Sequence, residues 1–355
     1  MKLPPISKTL LPWYQKNKRP LPWRETKDPY KIWVSEIMLQ QTQVKTVIPY
    51  YHRWLEKFPD ISSLSRAPFD SVVKLWEGLG YYRRARNLHE TAQIIAKEHG
   101  GKFPSDAETV YSLPGIGKYT GGAILSIAFG KPAPILDGNV ARILSRLFAI
   151  SDPVDTGQGQ KKLWELAEKL LPKKNPGDFN QSMMELGATL CLPQESACLI
   201  CPVSRLCKAH QTGKEESYPQ KSRKMEIKKV RAACAIVRKN GRVLITQRPD
   251  NGLWAQLWEF PTFRLSGKAD AKPFLKNQLR RAGLNAEIHS LKASIKRSYT
   301  NHAEALEVYD CELIREKPGH AAEPGEPFPG KWVKRQELRH FTFPSAHAKI
   351  ITDYL

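Results

Sequence analysis

The chain has 355 residues, 41% of them hydrophobic, and 56 Lys and Arg against 35 Asp and Glu give a formal charge of +21. That length points to two domains, each with enough apolar residues for an ordinary core. The charge favours a polyanionic partner, nucleic acid first, with a ribosome-associated or membrane-surface role as the alternative. No apolar run reaches the length of a membrane span. The first residues, Met1-Lys2-Leu3-Pro4-Pro5-Ile6, lack the apolar stretch of a signal peptide. The chain is therefore expected to stay in the cytoplasm where it is made, on the nucleoid in a bacterium. Thiols there are reduced, so its six cysteines are not a disulfide framework.

Residues 1–213 read as helical. Asp28-Pro29 is a helix start, Asp as cap and Pro in the first turn. The helix that follows runs from Tyr30 to Gln40 and contains Glu36. Gln41-Thr42 reads as a break, with Thr42 capping a second helix through Tyr51 and Trp54. Asp137 is another cap, because Val140, Ile143, Leu144, Leu147 and Phe148 follow it at helical spacing. Residues 214–230 hold Pro219 and many basic residues and read as a linker. From 231 to 355 the period shifts towards two. Ala233–Val237 and Val243–Ile245 flank Asn240-Gly241, a hairpin signal. Leu306–Leu313 alternates as another strand, while Phe274–Ala282 and the last residues read as helices. The second domain is a small α+β unit.

Cys191, Cys198, Cys201 and Cys207 follow the pattern C-x6-C-x2-C-x5-C. Four thiols in one short loop indicate a metal site. Zinc sites usually bring their ligands in two close pairs. Only Cys198 and Cys201 form such a pair, and the spread favours the larger iron–sulfur cluster, with zinc as the alternative. Cys234 and Cys311 fall on predicted strands and read as core.

Leu113-Pro114-Gly115-Ile116-Gly117-Lys118-Tyr119 precedes an apolar helix starting near Thr120. Gly115 and Gly117 would let backbone amides face a phosphate, although two such glycines alone are usually only a turn. Asp137 on its local pattern is a plain helix cap. Glu36 would be a solvated helix position but for its apolar neighbours Trp33, Val34, Ile37, Met38 and Leu39. Burial among them would raise its pKa and keep a proton available.

Three stretches resemble the adenine DNA glycosylase (MutY) family of the endonuclease III superfamily. They are Ser35-Glu36-Ile37-Met38-Leu39-Gln40-Gln41-Thr42-Gln43, Gly78-Leu79-Gly80-Tyr81-Tyr82 with Arg84-Ala85-Arg86, and Leu136-Asp137-Gly138-Asn139-Val140. The cysteine loop and the Leu-Pro-Gly-x-Gly hairpin match the same superfamily. The resemblance implies an all-α helix-hairpin-helix region closed by a 4Fe–4S cluster, with Gly115 and Gly117 on the DNA backbone. Arg205, Lys208 and His210 are available near the cluster for DNA. It also implies roles for catalysis. Glu36 would protonate adenine at N7, and Asp137 would stabilise the oxocarbenium ion or its covalent successor. Asn139 would orient Asp137, with Tyr119 supporting the same face. An acid and an anionic stabiliser are what breaking an N-glycosidic bond requires. Strand-cutting members of the superfamily carry a Schiff-base lysine where Tyr119 stands, and a phenol cannot form an imine. The target base must be flipped out. By resemblance Trp23, Arg24 and Gln181 line the adenine pocket, and Gln41 and Tyr81 are wedges at the lesion pair.

Leu244–Pro249, Gly252-Leu253-Trp254 and Leu257–Pro261 resemble the MutT-like (Nudix-fold) domain of the same family. The stretch Lys272–Gly283, where a hydrolase would carry its metal-binding glutamates, has no acidic residue. Divalent metal cannot be held there, and phosphohydrolase activity is not expected. The family reads 8-oxoguanine with Phe-Ser-His. The matching residues here are Tyr299, Thr300 and Asn301, with His302 next and a polar turn as the bland reading. The expected protein is a monomeric, monofunctional glycosylase acting on duplex DNA with adenine opposite 8-oxoguanine or guanine. A glycosylase–lyase of the endonuclease III kind and a non-catalytic iron–sulfur DNA-binding protein are the alternatives.

Overall fold

A computed structural model describes residues 5–222, 226–267, 269–299, 301–316 and 330–355. They form two compact units: Met1–Ala67 with Arg86–Lys224, and Pro68–Ala85 with Met225–Leu355. The helices in chain order are α1 (Ser7–Asn17), α2 (Pro29–Leu39), α3 (Val44–Lys57), α4 (Ile61–Arg66), α5 (Phe69–Trp76), α6 (Arg83–Glu98) and α7 (Ala107–Ser112). Then come α8 (Lys118–Ile127), α9 (Gly138–Phe148), α10 (Gly157–Leu170), α11 (Pro176–Thr189), α12 (Lys208–Gln211), α13 (Ala271–Arg281) and α14 (Ser345–Tyr354). Among the described residues no helix is long and apolar enough to cross a membrane.

The first unit is helical, and its caps are written in its sequence. Asp28 Oδ1 accepts from Tyr30 N at 2.9 Å with Pro29 at the first helical position. In α2 every residue from Ile32 to Met38 is buried, so the helix has no polar face and Glu36 is enclosed with the rest. Thr42 does not cap α3. Its hydroxyl donates to Gln40 O at 3.3 Å, and α3 starts at Val44 behind Gln43. The helix α8 runs close to the chain at Pro134: a Cβ on Gly122 would stand 2.2 Å from Pro134 O. Only glycine permits that approach.

The second unit is a seven-stranded mixed sheet: β1 (Lys228–Lys239), β2 (Arg242–Gln247), β3 (Trp258–Glu259), β4 (Thr262–Leu265), β5 (Leu284–Tyr299), β6 (His302–Glu316) and β7 (Gly330–Lys334). Asn240 (φ 50°) and Gly241 (φ 70°) turn β1 into antiparallel β2, the left-handed pair that a two-residue hairpin needs. β1 also runs parallel to β6, which returns antiparallel from β5. Alternate β1 residues feed two cores. Ala233, Ala235 and Val237 pack with Leu275 and Leu279 of α13, and Cys234 and Ile236 pack with Phe260 and Ile350 of α14. Both faces are covered, which is why Ala232–Val237 reads as a continuous apolar run. Cys311, like Cys234, is buried. β1 begins at Lys228, inside the expected linker. The segment 68–85, inside the expected helical region, packs with the second unit. There Lys74 Nζ donates to Phe341 O at 3.1 Å, and Phe343 N donates to Glu77 Oε1 at 3.3 Å.

Candidate active site and cysteine centre

A cavity of about 270 Å³ in the first unit gathers Trp23, Arg24, Glu36, Tyr119, Asp137, Asn139 and Gln181. All four residues expected to do chemistry and all three expected in the base pocket meet there. The volume is near the lower end of small-molecule sites.

Tyr119 Oη donates to Glu36 Oε2 at 2.7 Å and lies 3.3 Å from Met184 Sδ. Burial pushes the Glu36 carboxyl up to about 7. The Tyr119 hydrogen bond and the Arg24 charge oppose that rise, and the Asp137 charge adds to it. The Tyr119 phenol is itself pushed well above its usual range by burial and by the Glu36 and Asp137 charges, so it remains a donor.

Asp137 caps α9. Its Oδ1 accepts from Val140 N at 2.7 Å and its Oδ2 from Asn139 Nδ2 at 3.0 Å. Burial raises its pKa, opposed by both hydrogen bonds and by Arg142. Asn139 Oδ1 in turn accepts from Arg142 Nη2 at 2.8 Å, and the same guanidinium reaches Gly187 O and Cys191 O at 2.7 and 2.8 Å. The hydrogen bonds therefore run unbroken from Asp137 to the backbone of the first cysteine.

Trp23 is buried and meets Tyr51 edge-on at 5.5 Å, so it is both core and cavity wall. Arg24 Nη2 donates to Glu185 Oε2 at 2.7 Å and Nη1 to Arg19 O at 3.1 Å. Gln181 lines the same wall from α11. Sequence reading missed Glu185, Arg19, Met184 and Arg142. Nothing local marked Glu185: its helical neighbours in α11 include Gln181, Ser182 and Thr189, and Asp178 lies two turns earlier. Lys118 points elsewhere, its Nζ 4.2 Å from the centre of the Trp164 ring.

The hairpin between α7 and α8 places Gly115 at φ +75°, where a Cβ would strike Asn87, and makes Gly117 the residue before α8. The helix starts at Lys118, two residues earlier than expected. Gln41 (φ +59°), in the first unit, is exposed in the left-handed region. Tyr81 (φ +49°), in the second unit, is 58% exposed in the same conformation. Such strain in residues other than glycine gathers at functional positions. Arg84 holds the Tyr81 loop from beneath, donating to Leu79 O and Gly80 O at 3.0 Å.

Cys191, Cys198, Cys201 and Cys207 line one small cavity, with Arg146, His210 and Glu215 beside them. No cysteine is in a disulfide. Burial pushes the Cys198 and Cys201 thiols up to about 11 and raises Cys207, so metal ligation would release their protons. Four converging thiols in an apolar pocket fit an iron–sulfur cluster. Buried Arg146 pins the loop. It donates to Leu192 O (2.7 Å), Pro193 O (3.0 Å) and Ser196 Oγ (2.6 Å), to Glu215 O and Tyr218 O, and lies 3.3 Å from Cys191 Sγ. Ser222 binds Asp155 through N and Oγ, so the first part of the expected linker is fastened to the first unit. His210 Nδ1 is 2.6 Å from Glu215 Oε1, so it is engaged within the loop, whereas Arg205 and Lys208 are exposed.

In the second unit Tyr299 pairs with His302 across the β5–β6 ladder. Thr300 lies outside the described residues. The Tyr299 ring meets Trp254 edge-on at 5.1 Å and stacks on His302 at 5.3 Å, and Tyr299 Oη donates to Glu304 Oε1 at 3.1 Å. Asn301 O accepts from Lys228 N at 2.8 Å.

The helical region and its buried carboxylates belong to a class of DNA repair enzyme. The HhH-GPD superfamily base excision DNA repair protein family matches residues 34–169, and the NUDIX domain family matches residues 232–353. A thermostable thymine-DNA glycosylase structure is 33% identical with a TM-score of 0.54, covering 58% of this chain and 94% of that one. An endonuclease III–DNA complex, 22% identical with a TM-score of 0.50 over 60% of this chain and 99% of that one, shares the fold. Adenine DNA glycosylase of Homo sapiens is 36% identical, covering 98% of this chain and 73% of that one. The Buchnera aphidicola (subsp. Acyrthosiphon pisum) enzyme of that name is 41% identical over 77% of this chain and 78% of its own. This chain belongs to the adenine DNA glycosylase family, and is a DNA glycosylase of base excision repair.

Proposed function

We propose that this enzyme hydrolyses the N-glycosidic bond of adenine opposite 8-oxoguanine or guanine in duplex DNA, without cutting the strand. One observation carries the reading: Glu36 is a carboxyl held at about 7, lining the same cavity as Asp137. An acid poised near neutral pH can protonate a departing purine at N7. As charge moves onto the base, the sugar gains oxocarbenium character. Asp137, fixed by Val140 N and Asn139, stabilises that cation and leaves water to complete hydrolysis. Tyr119 holds Glu36 by its hydroxyl. Trp23, Arg24 and Gln181 receive the extruded adenine, and Gln41 and Tyr81 fill the gap it leaves.

Tyr119 in place of a lysine, with Lys118 engaged on Trp164, supports the absence of lyase chemistry. Cys191, Cys198, Cys201 and Cys207 would hold a 4Fe–4S cluster, which when bound cross-links the loop and sets its basic face towards the DNA backbone. Gly115 and Gly117 grip that backbone without reading sequence. Tyr299, Thr300 and Asn301 read 8-oxoguanine, with His302 stacked on Tyr299 as a further ring. The protein works as a cytoplasmic monomer.

End-labelled duplexes carrying adenine opposite 8-oxoguanine, guanine or thymine, and thymine glycol opposite adenine, test the proposal. The expected result is cleavage at adenine only after hot alkali, fastest opposite 8-oxoguanine. Cleavage without alkali, or at thymine glycol, would replace this reading with the lyase one.

A further inference from the structure

Glu185 has no part in the chemistry above, yet it lines the same cavity with its side chain wholly buried. Its Oε1 accepts from Arg19 N and Nε at 2.9 and 2.8 Å, and its Oε2 from Arg19 Nη2 and Arg24 Nη2 at 2.8 and 2.7 Å. Arg24 is thereby fixed on one side by Glu185, on another by Arg19 O, and on a third by the Tyr14 ring at 5.5 Å. Burial pushes Glu185 up, but hydrogen bonds from Arg19 and Arg24 outweigh it and hold the carboxyl at about 2. It is an anion at every working pH.

We infer that Glu185 is a positioning residue for excision: it fixes Arg24 against the cavity and neutralises it. The guanidinium then offers shape and donors to the base without drawing the proton off Glu36. The inference rests on the reading of Glu36 as the acid. The charged and titratable groups facing Glu36 are Tyr119 from α8, Asp137 at the start of α9 and Arg24 from the turn at 22–24. Arg142 stands behind Asp137 and Asn139, and Arg19 and Glu185 stand behind Arg24. The helix α3 contributes Val44 to the cavity. Among the described residues Arg24 is the one cation acting directly on Glu36, and it favours the ionised form. An Arg24 without its counter-ion would act more strongly.

The test is the single-turnover rate of adenine release against pH, in the full iron-loaded chain. The wild-type rate should fall as pH rises through about 7. In Glu185→Gln the midpoint should move down, costing about tenfold for each unit at pH values above both midpoints. In Arg19→Gln the net charge behind Arg24 becomes more negative, and the midpoint should move up. Loss of packing alone would not give shifts of opposite sign. If Glu185→Gln fails to fold, as a melting curve would show, Arg19→Gln decides by its direction. A midpoint unmoved in Glu185→Gln, or moved down in Arg19→Gln, overturns the inference. A wild-type profile that persists in Glu36→Gln would instead overturn the assignment of the acid, and this inference with it.

Discussion

Tyr119 Oη and Glu36 Oε2 are 2.7 Å apart, joined by a hydrogen bond that favours the ionised carboxylate over the protonated one. The pair is a brake on a carboxyl that burial would otherwise drive higher. In Tyr119→Phe the pH midpoint of excision should rise, and the ratio of the rate at pH 8 to that at pH 6 should increase. An unchanged ratio would show that the phenol does not act on Glu36.

Glu36→Gln should lower the excision rate by about 10²–10⁴-fold, the usual weight of a general acid. It should also stabilise the fold in base. The folded carboxyl at about 7 lies above its ordinary 4.5, so the native state holds the extra proton between those values. Wild-type stability therefore falls as pH rises from 4.5 through 7, by up to about 3 kcal/mol, and the variant escapes this. Melting temperatures at pH 5 and 8 should show the advantage of the variant growing with pH.

Gly187→Ala tests the support of Asp137. A Cβ there would sit 2.5 Å from Asn139 Cβ. Asn139 must shift, and its donor to Asp137 Oδ2 with it. We expect a loss of about 1–3 kcal/mol in stability and a larger drop in turnover than in affinity for duplex, measured by chemical denaturation and gel shift.

Gln41→Gly separates strain from function. At φ +59° a residue with a Cβ is disfavoured by about 1–2 kcal/mol. Relief of that strain should offset the added freedom of the unfolded chain, leaving the melting temperature nearly unchanged. Base release should still fall at least about tenfold if the side chain fills the gap left by adenine. Full activity in this variant would remove Gln41 from flipping.

Iron should be lost with Cys191→Ser, Cys198→Ser, Cys201→Ser or Cys207→Ser, and kept with Cys234→Ser or Cys311→Ser. Metal analysis and visible absorption of the purified chains would show this. A colourless, zinc-loaded and active wild-type protein would overturn the cluster.

The helical region and the sheet were legible because their signals are local. Asp28, Asp137 and Asn240-Gly241 declare a cap, a cap and a turn by their own chemistry. The candidate site was legible where the resemblance reached, and Glu36 also by its apolar neighbours. Glu185 and Arg19 escaped because 166 residues separate them, and nothing in either stretch announces the other. The start of β1 at Lys228 escaped for a different reason. A basic edge carries the composition of a linker, and only its pairing with β6 makes it a strand. Thr42 was misread because Ser and Thr before a helix usually cap, and here a local hydroxyl bond to Gln40 O competed successfully.

Asp137 is at once the first capping group of α9 and a wall of the base cavity. Its rotamer is selected when the helix forms, long before any DNA arrives. The carboxylate thus enters the reaction with its torsional freedom already gone, and the transition state need not collect it. The same economy limits what selection can do at this position. Drift towards alanine would unravel a helix start as well as silence the chemistry, whereas asparagine could keep the cap and lose only the charge.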